Sequence, residues 1–149
     1  MKSQYLVFNI SKENYLIDIS KVREVISISK FERVPNADSY ILGVINLRGE
    51  VISIINSSVI LNTHIENINS PSNKIIILEH LNEHVGLVVE NVTRVMEIEK
   101  ESIEAPPLYN EDSTYVSGVV QENESLYIVV DIEHKSGAFS NALALSQAW

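Results

Sequence analysis

The side chain with the most distinctive chemistry is Arg48, a guanidinium within an apolar hairpin. It lies in the segment Gly43-Val-Ile-Asn-Leu-Arg-Gly-Glu-Val-Ile-Ser-Ile-Ile55 and is one of four arginines in the chain. A guanidinium among apolar neighbours is costly unless it is paired, and it presents a rigid fork of hydrogen-bond donors. Two roles stay open for Arg48: an internal salt bridge to a nearby carboxylate, or recognition of a partner.

Histidines and carboxylates elsewhere give little support for catalysis. His80 and His84 stand four residues apart beside Glu79 and Glu83, a spacing that could bind zinc on a helix. They flank a predicted hairpin turn, where residues four apart do not share a face, so we interpret them as solvated turn residues. The acidic run 97–104 could hold a glycosidase pair, but it is more typical of a solvated edge. We therefore predict no enzyme, no metal site and no cofactor, with a small carboxylate-dependent hydrolase as the remaining enzymatic alternative.

Composition narrows the class of protein further. The chain has 149 residues, no cysteine and a net charge of -9, from 11 Lys and Arg against 20 Asp and Glu. Without cysteine there are no disulfides, and thiol catalysis is excluded. The acidic balance argues against nucleic acid and against an anionic membrane surface. No apolar run approaches the roughly 20 residues of a membrane helix, and the polar start is unlike a secretory signal. We expect a cytoplasmic domain.

The elements that must position these side chains are mostly strands. The chain holds 20 isoleucines and 17 valines against 6 alanines, and β-branched residues favour pleated strands. Turn signals divide the apolar segments into about ten short strands. Ser20 predicts the N-cap of a short helical turn with Val22, Val25 and Ile26 at helical spacing. Asp131 predicts the start of a C-terminal helix.

Two parts of the chain, about 4–63 and 74–134, resemble each other. A shift of 70 positions aligns their first strands, and a shift of 75 aligns Tyr40-Ile-Leu-Gly43 with Tyr115-Val-Ser-Gly118. Each part is small for an independent domain. An internal duplication therefore predicts two similar β-barrels packed side by side with a crevice between them. The second copy has an ordinary polar turn where the first has Arg48.

Several segments resemble the chemotaxis coupling protein (CheW) family. They are Tyr5-Leu-Val-Phe8, Asp18-Ile-Ser-Lys-Val-Arg-Glu-Val25, Gly43-Val-Ile-Asn-Leu-Arg-Gly49, Leu87-Val-Val-Glu-Asn-Val92 and Leu126-Tyr-Ile-Val-Val-Asp-Ile-Glu133. The similarity runs from about residue 4 to 134 and identifies 1–149 as a single CheW-like domain, whose tail 135–149 has no counterpart. Three places depart from the family pattern. Glu90 replaces the usual aspartate, Ser53 a proline, and Asn56-Ser57 an aspartate-leucine pair.

The resemblance implies a fold and a function. The fold is mainly β, with two similar five-stranded SH3-like β-barrel subdomains packed side by side, short helices and a C-terminal helix. The function is that of an adaptor without catalytic activity or cofactor. It would couple the cytoplasmic tip of chemoreceptors to the regulatory domain of the histidine kinase CheA, in membrane-associated arrays that it joins without inserting into the membrane. A related pathway serving pili or development is the alternative.

The family motifs also imply site residues. Gly43 and Gly49 would shape the surface. Matches to the receptor- or kinase-facing surface fall on Val22, Glu24, Asn46 and Arg48.

Overall fold

The structure is a computed structural model that describes residues 1–28, 31–35, 39–61, 63–80, 83–105 and 115–131, without the His80 side chain. Ten strands lie within these ranges: β1 (Lys2–Ile10), β2 (Glu13–Asp18), β3 (Val22–Ser27), β4 (Ile41–Leu47), β5 (Glu50–Ile55), β6 (Lys74–His80), β7 (Glu83–Val89), β8 (Asn91–Glu99), β9 (Val116–Glu122) and β10 (Ser125–Val130). The helix α1 (Ser57–Ile60) and the 3₁₀ turns Ile19–Lys21 and Lys100–Ser102 complete the described elements. The predicted C-terminal helix lies outside the described residues.

The strands form two five-stranded sheets. One, called the Arg48 sheet, has the order β3-β6-β7-β5-β4, and the other, called the Tyr15 sheet, has the order β8-β1-β2-β10-β9. Neighbours are antiparallel except β5 with β7 and β2 with β10, which are parallel. The mainly β fold with two similar five-stranded units is confirmed.

Each sheet combines strands from both parts of the chain. The Tyr15 sheet joins β1 and β2 to β8, β9 and β10, while the Arg48 sheet joins β3, β4 and β5 to β6 and β7. The expectation that each half forms its own barrel is therefore wrong, because the first hairpin of each half pairs with the other half. Advancing every strand number by five, with β6 and β7 returning to β1 and β2, converts one sheet order into the other. The duplication itself stays a prediction, and this equivalence of topology supports it.

The two sheets share a hydrophobic core. Its larger cluster combines Phe8, Ile10 and Tyr15 from the Tyr15 sheet with Ile54 and Ile76 from the Arg48 sheet. All five side chains are at most 2% exposed, and burial of one large apolar side chain stabilises the fold by about 1.5–3 kcal/mol. A common core of this kind holds the two sheets, and the surface features on them, in one arrangement.

Glycine at position 43 allows a close backbone crossing in the Arg48 sheet. The segment before β4 forms an isolated bridge in which Glu32 and Val44 exchange two backbone hydrogen bonds of 2.9 and 2.8 Å. A Cβ atom at Gly43 would lie 2.2 Å from the carbonyl oxygen of Glu32, well inside van der Waals contact. Gly43 therefore serves the packing of β4 at the end opposite the turn that carries Arg48.

The predicted helical turn over residues 22–26 is wrong. These residues form β3, with alternating half-buried and exposed side chains, and only Ile19–Lys21 is helical. The cap is Asp18, whose Oδ1 accepts a hydrogen bond of 2.9 Å from the Ser20 N–H, so Ser20 is capped rather than capping.

In the part of the chain that the structure describes, no helix has the length and apolar character to cross a membrane.

Candidate functional site

Arg48 and Gly49 form the two-residue turn of the hairpin made by β4 and β5, called the Arg48 hairpin. Leu47 and Glu50 are the last paired residues, and the residues between them have φ angles of 49° and 88°. Positive φ at both central positions is the pattern of a type I′ turn, which suits the twist of antiparallel strands. Glycine adopts it freely, whereas an arginine in this region is disfavoured. The turn therefore holds Arg48 in a conformation that its backbone does not prefer.

Asn46 stabilises the turn from the preceding strand. Its side-chain Oδ1 accepts a hydrogen bond of 3.0 Å from the backbone N–H of Gly49. A backbone donor at the tip of the hairpin is thereby satisfied without water. The contact gives Asn46 a bracing role beside Arg48.

Arg48 is paired with Glu24. Its Nη2 donates a short hydrogen bond to Glu24 Oε1. Glu24 belongs to β3 and Arg48 follows β4, so the ion pair connects the two edge strands of the Arg48 sheet. The side chains are 61% and 29% exposed, respectively, and an ion pair in such surroundings contributes about 0–1 kcal/mol to stability. Its main effect is to orient an accessible guanidinium.

Val22 and Gly43 have positions different from the other candidates. Val22 opens β3, pairs with Leu78, and packs half-buried against the larger core cluster. A register shift between Val22 and Glu24 separates the two along β3. The structure thus brings together Glu24, Asn46, Arg48 and Gly49. Val22 shares only β3 with Glu24, and Gly43 is not part of the turn.

A second set of charged residues, which the sequence did not predict to lie together, adjoins the turn. His84 in β7 is only 8% exposed, with Nδ1 2.6 Å from Glu50 Oε2 and Nε2 3.1 Å from Glu79 Oε2. Arg23 Nη1 lies 3.2 Å from His84 Nε2 and 3.5 Å from Glu79 Oε2. The interpretation of His84 as a solvated turn residue is therefore wrong.

Strand pairing explains this burial of His84. The register of β6 and β7 places Glu79 directly opposite His84, and β5 lies parallel beside β7, which brings Glu50 against the ring. The sequence gives one sign of this cluster, which is an ionisable residue at each of these positions on neighbouring predicted strands. The parallel pairing that collects them joins strands about 30 residues apart, which local periodicity does not reveal.

Together these residues form two adjacent contact groups that we call the charged ring. Its members, in order, are Arg48, Glu24, Arg23, Glu79, His84 and Glu50. One group pairs Arg48 with Glu24, and the other joins Arg23, Glu79, His84 and Glu50. In the described part of the chain the two groups are connected only along the backbone, since Arg23 precedes Glu24 and Gly49 alone separates Arg48 from Glu50. Beside it is a hollow of about 120 Å³ lined by Leu47, Ile52 and Ile77 as well as by ring members. No group of three or more metal-ligating side chains that could hold a metal ion occurs among the described residues.

The predicted crevice between the two units corresponds to a second hollow of about 140 Å³. Tyr5, Ile17 and Val129 line it from the Tyr15 sheet, and Leu78 and Glu79 line it from the Arg48 sheet. Glu79 therefore faces both the crevice and the charged ring. Residues of β6 thus line both hollows, Ile77 the first and Leu78 and Glu79 the second.

Comparison with known proteins gives a consistent family. The family model described as CheW-like domain matches residues 4–136. Chemotaxis protein CheW of Treponema pallidum is 30% identical over 137 residues, which cover 89% of this chain and 80% of that protein. Chemotaxis protein CheW of Bacillus subtilis is 33% identical over 127 residues, with 83% and 81% covered.

A solved structure extends the likeness to three dimensions. The crystal structure of the scaffolding protein TtCheW from Thermoanaerobacter tengcongensis superposes with a TM-score of 0.79 at 31% identity. The match covers 88% of this chain and 90% of that one. The sequence motifs, the two equivalent sheets and these matches lead to one conclusion: the chain belongs to the CheW-like domain family.

Proposed function

We propose that this protein is a chemotaxis adaptor that couples the cytoplasmic tips of chemoreceptors to the regulatory domain of the histidine kinase CheA. It acts in the cytoplasm through protein contacts and catalyses no reaction. The observation that carries this function is the Arg48 hairpin, in which a CheW-like fold presents an oriented, largely accessible guanidinium. Family membership and the relatives' descriptions as chemotaxis and scaffolding proteins support it.

Arg48 suits recognition of a partner because its position is fixed from two sides. The turn sets the direction of its backbone, and Glu24 holds Nη2. A guanidinium has five N–H donors, so the Glu24 contact leaves donors for a carboxylate or carbonyl of a partner. Fixing the side chain before binding reduces the conformational entropy that association would otherwise cost. Arginines of this kind are enriched among residues that dominate interface energies.

The two partners would use different surfaces. A receptor tip is an antiparallel helical hairpin, and a helix can dock its apolar face in a groove. The crevice between the sheets offers apolar contacts from Ile17, Val129 and Leu78. Charged side chains, among them Asp18, Lys21 and Glu79, also line it and could contact polar groups of a helix. The kinase domain has a similar fold, so we place its contact at strand ends, where the Arg48 hairpin projects.

Reconstitution tests the coupling function directly. Purified protein is added to receptor-containing membranes and kinase, and kinase autophosphorylation is measured with and without it. We expect the complete mixture to show stimulation that neither receptor nor adaptor produces alone. If autophosphorylation is the same with and without the protein, and it does not sediment with the membranes, the coupling function is wrong.

The role of Arg48 is tested by Arg48→Asn, with Asn123→Asp as its matched control. Both changes lower the net charge by one, and both put a residue that tolerates positive φ into an equivalent turn. We expect Arg48→Asn to weaken co-sedimentation with receptor and kinase about tenfold, equivalent to about 1.4 kcal/mol. The control should bind like wild type. A folded Arg48→Asn protein that assembles as well as the control would remove Arg48 from the binding surface.

A further inference from the structure

His84 occupies a position where both ring nitrogens have charged neighbours. Nδ1 faces Glu50 of β5, and Nε2 faces both Glu79 of β6 and Arg23 of β3. Arg48, from the turn between β4 and β5, lines the same hollow as the imidazole. These are the charged groups that surround the ring from the packed strands, and with the ring only 8% exposed they replace most of its contact with water.

The contacts on the two nitrogens differ in their dependence on the proton. A carboxylate only accepts, so Glu50 requires N–H on Nδ1 in either charge state of the ring. Nε2 has two competing neighbours, because an arginine only donates and a carboxylate only accepts. Neutral imidazole accepts from Arg23 at Nε2, whereas imidazolium donates to Glu79 at the same atom. One proton therefore selects which of two neighbours His84 bonds.

Charge counting shows what the proton does to the cluster. Arg23, Glu50 and Glu79 sum to one negative charge, and imidazolium brings the group to neutrality. In that form His84 bonds two carboxylates at once, each through a charge-assisted hydrogen bond, which is the stronger kind. The Arg23 guanidinium keeps Glu79 as its partner and is released from the ring. Glu24, which follows Arg23 in β3, is the partner of Arg48.

We propose that His84 is a positioning residue for the Arg48 hairpin, and that its proton sets how firmly the charged ring holds the turn. This role rests on the proposed function, since the hairpin is the partner-binding element there. Protonated His84 ties Glu50, the first residue after the turn, to Glu79 on β6. Neutral His84 shifts Arg23 toward the ring nitrogen and leaves the carboxylate of Glu79 facing a lone pair. The bond from Nδ1 to Glu50 is present in both forms, but only the protonated ring is also bonded to Glu79. The protonated ring therefore holds Glu50 more firmly, and partner binding is tighter in that form because the hairpin is better fixed before binding.

The test is the pH dependence of assembly in wild type and in His84→Gln. Histidine is the side chain that ordinarily exchanges its proton between about pH 5 and 8, and glutamine supplies an NH₂ donor group and a carbonyl acceptor without titrating. We expect wild type to bind the receptor and kinase mixture about fivefold more tightly at pH 6 than at pH 8, beyond any change that the glutamine variant shows. Equal pH profiles for the two proteins would overturn the role of His84.

A second variant guards against misfolding at this buried position. Glu79→Gln leaves His84 in place and removes the carboxylate that accepts a hydrogen bond from the protonated Nε2. The fivefold pH dependence should shrink in this variant as well. A profile for Glu79→Gln with the full wild-type slope would contradict the proposed switch of partners at Nε2.

A measurement on the isolated protein separates this inference from the coupling function. In NMR spectra, the backbone amides of Arg48 and Gly49 should shift with the same midpoint as the His84 ring in wild type, and stay constant in His84→Gln. If these amides shift with the His84 proton but the protein binds its partners at no pH, the coupling function is wrong and the positioning role of His84 stands. If partners bind but the amides ignore the His84 proton, the positioning role is wrong.

Discussion

The two sheets of the molecule share one strand order but carry different polar side chains at corresponding positions. In the Tyr15 sheet, the hairpin of β9 and β10 turns through Asn123 and Glu124, with φ angles of 49° and 68°. The Arg48 hairpin has the same two-residue geometry. Asparagine is a common residue at positive φ, whereas arginine is not. The turn itself therefore does not require arginine, and its presence in one copy needs a reason outside the backbone.

The contrast extends to the first hairpin of each half. Asn9 and Asn14 are paired across β1 and β2, with Asn9 Nδ2 donating to Asn14 Oδ1 at 2.6 Å. The residues 70 positions later are Glu79 and His84, paired across β6 and β7. A neutral amide pair in the Tyr15 sheet thus corresponds to a charged pair in the Arg48 sheet. Both pairs fit the strand register, but only the second carries ionisable groups that can interact with the charges of a partner.

The prediction with the largest expected effect concerns a glycine that both sheets have at the corresponding position. Gly43 and Gly118 are equivalent, and each precedes a residue that forms an isolated backbone bridge. Gly43→Ala should destabilise the fold by about 3 kcal/mol, because the new Cβ would lie 2.2 Å from a backbone oxygen that cannot move freely. Chemical denaturation of the purified variant measures the loss.

Gly118→Ala is the matched comparison. Its closest neighbour would be the Ile103 Cγ2 atom at 2.4 Å, the end of a side chain, with the Glu104 oxygen at 2.9 Å. We expect a loss of about 1.5 kcal/mol, since a side chain can shift more readily than a strand. Equal stability of the Gly43→Ala protein and wild type would show that the crossing in the Arg48 sheet is not tight.

Sequence patterns predicted the shared part of the molecule well. Alternating and apolar runs located the strands, and the shift of 75 pairs Gly43 with Gly118, each of which precedes a residue in an isolated backbone bridge. They failed at residues 22–26, where Val22, Val25 and Ile26 suit a helix as well as a strand. A five-residue apolar pattern does not separate the two periods, and pairing with β6 decided the outcome.

Sequence patterns predicted the candidate site less well than they predicted the strands. Arg48 stood out because a lone guanidinium in an apolar hairpin is unusual, but its partner Glu24 is 24 residues away. His84 was wrongly interpreted as a solvated turn residue, since its burial depends on the strands that lie on either side of β7. Long-range pairing determines such contacts, whereas the single sequence reports mainly local preference.

The second prediction uses an aromatic pair that only the Tyr15 sheet has. Phe8 and Tyr15 stack with ring centres 5.4 Å apart, where the Arg48 sheet has Leu78 opposite Val85. Burial, and to a smaller extent the nearby charge of Glu13, raise the pKa of Tyr15 to about 12. The neutral phenol is thus favoured in the folded state, so its stabilisation is complete below pH 10 and is lost as the pH rises toward 12.

Tyr15→Phe measures this loss. Two pKa units correspond to about 2.7 kcal/mol at most, and we expect about 2 kcal/mol of alkaline destabilisation between pH 10 and 12 to disappear in the variant. Denaturation curves at pH 8 and at pH 12 give the difference for both proteins. An identical alkaline decline in wild type and variant would show that Tyr15 does not control the stability of its sheet at high pH.

The smallest expected effect decides between the two roles of Arg48. A double-mutant cycle of Glu24→Gln and Arg48→Asn measures the coupling of the ion pair in the free energy of unfolding. We expect less than about 0.5 kcal/mol, because the pair is exposed and salt screens it. The hairpin with Asn123 supports this value, since it keeps the same turn without any arginine. A coupling above about 1 kcal/mol would instead assign Arg48 to internal bracing. The ion pair would then hold the edge strands β3 and β4 together rather than orient a guanidinium for a partner.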